Sequence, residues 1–224
     1  MIKQICQEGV IQVVPTNSGI VFAVKQSGST YDDYMKIAYR MYSCDSGETS
    51  VVTRNVFLLS KFGNNFAKVE NNPKEFLDSK TVSLPDHSVL IVDSKGDAEL
   101  INFDGRVKWK GNLCYKECVP EGLCATEEGV WITYKKEGAI IRYSPLNMRP
   151  EIRIGGNGGI CYPEGIWAEG NRVLVCTTGD NSILEIDAET FKTKPYQKFN
   201  GTPHNYYKIG ANEIVMVDSG LYRL

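Results

Sequence analysis

The sequence predicts an all-β protein assembled from repeated strand–turn–strand units, and three observations carry that prediction. First, Pro120-Glu121-Gly122-Leu123-Cys124 and the strand after it, through Tyr134, align without a gap with Pro163-Glu164-Gly165-Ile166-Trp167 through Thr177, at a spacing of 43 residues. Second, the apolar runs are short, rich in β-branched and aromatic residues, and bounded by Gly, Asn and Asp, which is strand and turn chemistry. Third, the chain opens on an unattached strand, Ile2-Lys3-Gln4-Ile5-Cys6, while its last unit stops at Leu224 after only a second strand. Together these predict a six-bladed β-propeller in which the N-terminal strand completes the last blade and closes the ring, leaving no bare sheet edge. Residues 1–224 are expected to form this single domain.

Each unit is justified in turn by an apolar strand, a polar turn and a second apolar strand. The two aligned copies continue into Ala139-Ile140-Ile141-Arg142-Tyr143 and Ile183-Leu184-Glu185-Ile186-Asp187. Weaker copies pair Ile20–Val24 with Met35–Tyr39, Val56–Leu59 with Phe66–Val69, Val89–Val92 with Glu99–Phe103, and Ile214–Val217 with Leu221–Leu224. The first strands therefore begin at residues 20, 56, 89, 130, 173 and 214, a period close to the roughly 40 residues of a propeller blade. Thr49–Thr53 admits two assignments, as the outer strand of the first unit or the inner strand of the second. The bookkeeping is weakest between residues 44 and 85, where a short blade leaves a count of five open, and six is expected.

Composition removes several function classes. With 25 Lys+Arg against 27 Asp+Glu and no basic cluster, the chain lacks the charge that nucleic-acid binding demands. No stretch approaches the roughly 20 apolar residues that span a bilayer, and no basic segment followed by an apolar run opens the chain, so a cytoplasmic protein is expected. The seven cysteines are odd in number and suggest no disulfide framework. Several lie on apolar runs and read as small core hydrophobes, while Cys114 and Cys118 lack the second pair or nearby histidines that zinc requires.

The segment Tyr162-Pro163-Glu164-Gly165-Ile166-Trp167-Ala168, followed by Arg172–Val175, Gly179-Asp180-Asn181 and Ile183–Asp187, resembles an NHL-type propeller repeat. The copy from Pro120 to Ser144 is similar, except that its turn reads Lys135-Lys136-Glu137-Gly138. That resemblance implies propeller architecture and carries little about activity. A second resemblance is to the gluconolactonase and SMP-30-like six-bladed propellers, which hold a divalent cation in the central channel. Their opening Glu-Gly corresponds to Glu8-Gly9, their middle Asn-Gly falls at Glu121-Gly122 with Glu replacing Asn, and their Asp-Ser corresponds to Asp218-Ser219 in a later blade.

In a propeller the residues that open each innermost strand cluster at one mouth of the channel. Glu8, Glu121 and Glu164 occupy that position in three units, Lys80 in a fourth, and in a fifth His204, by the likeness of Pro203-His204 to Pro163-Glu164, or Asn205, by an ungapped alignment. Three carboxylates around one axis could hold a hard cation such as calcium, or hydrogen-bond a cationic or polyhydroxylated ligand. Pro-Glu-Gly also reads as a plain turn, with Pro fixing φ, Gly tolerating unusual dihedrals and Glu pairing to a neighbouring blade. Trp131 and Trp167 read as core, Trp109 as half-exposed on an outer strand, and His87 as a surface turn. Gly155-Gly156-Asn157-Gly158-Gly159 precedes a strand rather than a helix and is not a phosphate cradle. With no nucleophile elbow, Walker loop or dinucleotide fingerprint, the expected function is non-catalytic binding of a small polar ligand, a peptide or a partner protein at the mouth, without a cofactor. The alternative is a metal-dependent, lactonase-like hydrolase, and a third reading is a lyase like the streptogramin-type propellers, for which the chain's two histidines supply little acid–base machinery.

Overall fold

The computed structural model describes residues 3–7, 9–15, 19–25, 37–52, 80–102 and 104–224. They form twenty strands and no helix. Five four-stranded antiparallel sheets result. The first contains β2 (Gly9–Pro15), β3 (Gly19–Lys25), β4 (Ile37–Ser43) and β5 (Thr49–Val52), and the second β6 (Lys80–Ser83), β7 (Val89–Val92), β8 (Asp97–Ile101) and β9 (Val107–Asn112). The third contains β10 (Leu123–Thr126), β11 (Gly129–Tyr134), β12 (Ala139–Tyr143) and β13 (Pro150–Gly155). The fourth contains β14 (Pro163–Glu169), β15 (Arg172–Thr177), β16 (Ser182–Asp187) and β17 (Thr193–Lys198). In the fifth, β18 (Pro203–Ile209), β19 (Asn212–Val217) and β20 (Gly220–Arg223) are joined at the outer edge by β1 (Lys3–Cys6).

The N-terminal strand completes the last blade as expected: Lys3 faces Arg223 and Gln4 faces Tyr222. The blade count is corrected from six to five. Thr49–Val52 pairs with β4, with Tyr39 opposite Val52 and Tyr42 opposite Thr49, so it is the fourth strand of the first blade. The next described strand, β6, already opens the second blade. The unit read at Val56–Val69 lies outside the described residues.

Strand position within a blade explains the burial. Every residue of β11 is buried, because a middle strand is covered on both faces. The outer strands β9 and β13 instead alternate exposed and half-buried residues, carrying Lys108 and Lys110, or Glu151 and Arg153, toward water. Trp131 is fully buried and Trp109 half-buried on β9 against the core, as the sequence predicts. All seven cysteines are free thiols, five of them buried.

The chain divides into two compact units, residues 1–78 with 207–224, and residues 79–206. The first has its own core, including Ile20, Phe22, Tyr42, Ile214 and Leu221. The second has two, one between the second and third blades around Leu90, Leu100, Ile132 and Tyr134, and one between the third and fourth around Trp131, Ile166, Val175 and Ile186. Among the described residues no helix is long and apolar enough to cross a membrane.

Candidate functional site

Within residues 79–206, β10 packs beside β6 on one side and β14 on the other. Adjacent first strands bring their opening residues together. Lys80 opens β6, Glu121 lies just before β10, and Glu164 and His204 are the second residues of β14 and β18. Glu8 lies outside the described residues.

The contacts divide into a loose pair and a tight trio. Lys80 Nζ stands 3.9 Å from Glu121 Oε2, with both side chains about one-third exposed. Such a pair contributes about 0–1 kcal/mol. Glu164 is better enclosed, at 20% side-chain exposure, and both its oxygens are engaged. Lys135 Nζ donates to Oε2 at 2.7 Å, and His204 Nδ1 lies 3.0 Å from Oε1. Because an ionised carboxylate only accepts, Nδ1 carries the proton in this contact. Burial pushes the Glu164 carboxyl up, but the hydrogen bonds from His204 and Lys135 outweigh it and hold the group below the ordinary glutamate range.

The glycine of the Pro-Glu-Gly repeat has a physical reason here that differs from the expected one, whereas the expected pairing of its Glu to a neighbouring blade is seen in Lys80–Glu121 and Lys135–Glu164. Neither Gly122 nor Gly165 has a positive φ, so unusual dihedrals are not what these positions require. They require close approach. A Cβ on Gly122 would fall 2.3 Å from the Glu164 carbonyl oxygen, and one on Gly165 would fall 2.3 Å from the His204 carbonyl oxygen. Each glycine therefore seats the site residue of the following strand. Thr133, fully buried on β11, locks the first of these contacts: its hydroxyl accepts from the Gly122 amide at 2.8 Å and donates to the Glu164 carbonyl.

Sequence reasoning missed Lys135 and Thr133. The signal for Lys135 was present in the turn Lys135-Lys136-Glu137-Gly138, whose departure from a Gly/Asn turn places a cation where the aligned copy has Thr178. Tyr162 adjoins the site residues in sequence. It is 54% exposed, directly before Pro163-Glu164, in a left-handed backbone conformation (φ 52°) that its carbonyl helps hold by accepting from both the amide and the hydroxyl of Thr178.

The arrangement can hydrogen-bond a polar ligand. The two described carboxylates each face a cation, and among the described residues no three His, Cys, Asp or Glu side chains form a group able to hold a metal ion.

No protein-family model and no curated protein matches the chain. Solved structures do. A streptogramin B lyase superposes with a TM-score of 0.54 at 13% identity, over 96% of this chain and 64% of that one. A catalytically inactive histidine-to-alanine variant of virginiamycin B lyase from Staphylococcus aureus, solved with quinupristin, gives 0.53 at 11% identity, over 99% and 87%. U3-55K gives 0.53 at 10% identity, over 97% and 61%. The chain thus spans less than two thirds of the length of two of these three proteins. At such identities the likeness concerns architecture alone, and with the five four-stranded sheets it shows an all-β propeller fold.

Proposed function

We propose that this protein is a non-catalytic binding propeller whose channel mouth takes a small, uncharged, polyhydroxylated ligand. The observation that carries this reading is the Lys135–Glu164–His204 trio beside the Lys80–Glu121 pair. Its carboxylates are already matched by cations, so an incoming cation would have to displace a lysine. Hydroxyl groups, in contrast, can accept from and donate to ammonium, imidazole and carboxylate without breaking the pairs.

Isothermal titration with a panel of monosaccharides and polyols tests the reading. Saturable binding by at least one, weakened tenfold or more in Glu164→Gln and in Lys135→Met, is the expected result. Absence of binding across the panel overturns it. The alternative of a metal-dependent hydrolase requires Glu121 and Glu164 to leave their lysines for a divalent cation. Stoichiometric heat on calcium addition, abolished by Glu164→Gln, would favour that alternative.

A further inference from the structure

The chain contains two Asn-Gly bonds, Asn157-Gly158 and Asn200-Gly201, and both asparagines are exposed. Asparagine is a chemically labile residue. It is most labile before glycine, whose backbone nitrogen has no adjacent Cβ to keep it from the side-chain carbonyl carbon. Sequence and exposure therefore treat the two bonds alike, and hydrogen bonding separates them.

Asn157-Gly158 is held at both reacting groups. The Gly158 amide donates to the Glu137 carbonyl at 3.1 Å. Lys116 Nζ donates to Asn157 Oδ1 at 3.0 Å and pairs with the Glu137 carboxylate at 3.3 Å. The amides on either side are bonded too, Gly156 to the Gly138 carbonyl at 2.8 Å and Gly159 to the Gly156 carbonyl at 3.0 Å. Before the Gly158 nitrogen can lose its proton and turn toward the side chain, this segment must open, and only the open fraction reacts.

Asn200-Gly201 lies in the connection from β17 to β18. The last anchored backbone group before it is the Phe199 amide, which donates to the Asn181 carbonyl at 2.8 Å. Among the described residues, neither the Asn200 side chain nor the Gly201 amide makes a hydrogen bond. Strand structure resumes only at Pro203, the first residue of β18. Here no hydrogen bond has to break before nitrogen and carbonyl carbon meet.

We propose that Asn200 is a site of spontaneous deamidation selected by the fold, and that Asn157 is shielded from it. Hydroxide removes the Gly201 amide proton, the nitrogen attacks Asn200 Cγ, and the side-chain nitrogen takes a proton from water and leaves as ammonia, closing a cyclic imide. Water then adds to either imide carbonyl carbon and opens the ring, giving aspartate or isoaspartate with no change of oxidation state. Each event makes the formal net charge of −2 more negative by one. The isoaspartyl product also carries its main chain through the former side chain, so the connection that leads to His204 becomes one carbon longer.

The test incubates the folded protein in mildly alkaline buffer beside a sample unfolded in urea. Trypsin releases the two bonds on separate peptides, residues 154–172 and 199–208, and fragmentation in the mass spectrometer locates the mass gain among their asparagines. In urea both bonds are expected to react at rates within a few fold of each other. In the folded protein Asn200 should stay within a few fold of its unfolded rate, while Asn157 falls tenfold or more behind. Isoaspartyl-specific methylation of the folded sample should label the 199–208 peptide at least tenfold more than the 154–172 peptide. Equal rates at the two bonds in the folded protein, or a tenfold slowing of Asn200 by folding, overturns the proposal.

Discussion

Glu164 shows how a single carboxylate can be both structural and available to a ligand. Its folded-state pKa lies below the value of 4.5 that it has when unperturbed. The stabilisation it supplies is therefore present above that value and is lost as pH falls through the lowered folded-state value. Glu164→Gln is expected to cost about 1–3 kcal/mol at pH 7, the worth of hydrogen bonds to a charged group, seen as a melting temperature lowered by several degrees. In thermal melts from pH 7 down to pH 3 the gap between wild type and variant should close below about pH 4.5. A gap independent of pH would mean that the ionised carboxylate is not what Lys135 and His204 hold.

Between elements, the third and fourth blades are joined by a contact that strand patterning conceals. Arg142 on β12 is only 14% exposed, bridges Glu128 at 2.9 Å and Glu151 at 3.4 Å, and lies over the rings of Trp131 and Phe191 at 5.9 and 5.3 Å. Phe191 belongs to the turn between β16 and β17, so one guanidinium ties an outer-strand carboxylate of its own blade to an aromatic ring of the next. A planar, forked cation suits this geometry and an ammonium does not. Arg142→Lys is accordingly expected to lose about 1–2 kcal/mol, because an ammonium keeps only part of the contacts to two carboxylates and two rings. Chemical denaturation should show an earlier midpoint with an unchanged slope. An unaltered midpoint would show that the contact is energetically neutral.

For the whole molecule, the decisive element is the N-terminal strand. It supplies the outer strand of the fifth blade, and Cys6 is buried in the core with Ile20, Ile214 and Leu221. Removing residues 1–7 strips that core and bares the β20 edge, an unpaired row of backbone donors and acceptors. The truncated protein is expected to melt at least about 5 °C lower and to form oligomers on light-scattering chromatography. A monomer of unchanged stability would show that β1 is dispensable.

The sequence by itself determined the class, the blade pattern and the completion of the last blade by the first strand. All three depend on local periodicity and on what each end lacks. It also named Glu121 and Glu164 by the gapless alignment of their two copies, Lys80 by its distance to the strand at Val89, and His204 by the likeness of Pro203-His204 to Pro163-Glu164, where a gapless alignment gives Asn205. The blade count was open between 44 and 85, since Thr49–Val52 has the same composition whether it pairs with β4 or starts a new sheet, and only its pairing decides. Lys135 was hidden because it reaches Glu164 from a turn 29 residues away, a distance set by the packing of β11 against β14. The reason for Gly122 and Gly165 was hidden for the same cause. Both make room for the backbone of the next strand, and a contact between neighbouring blades leaves no trace in the periodicity of either one.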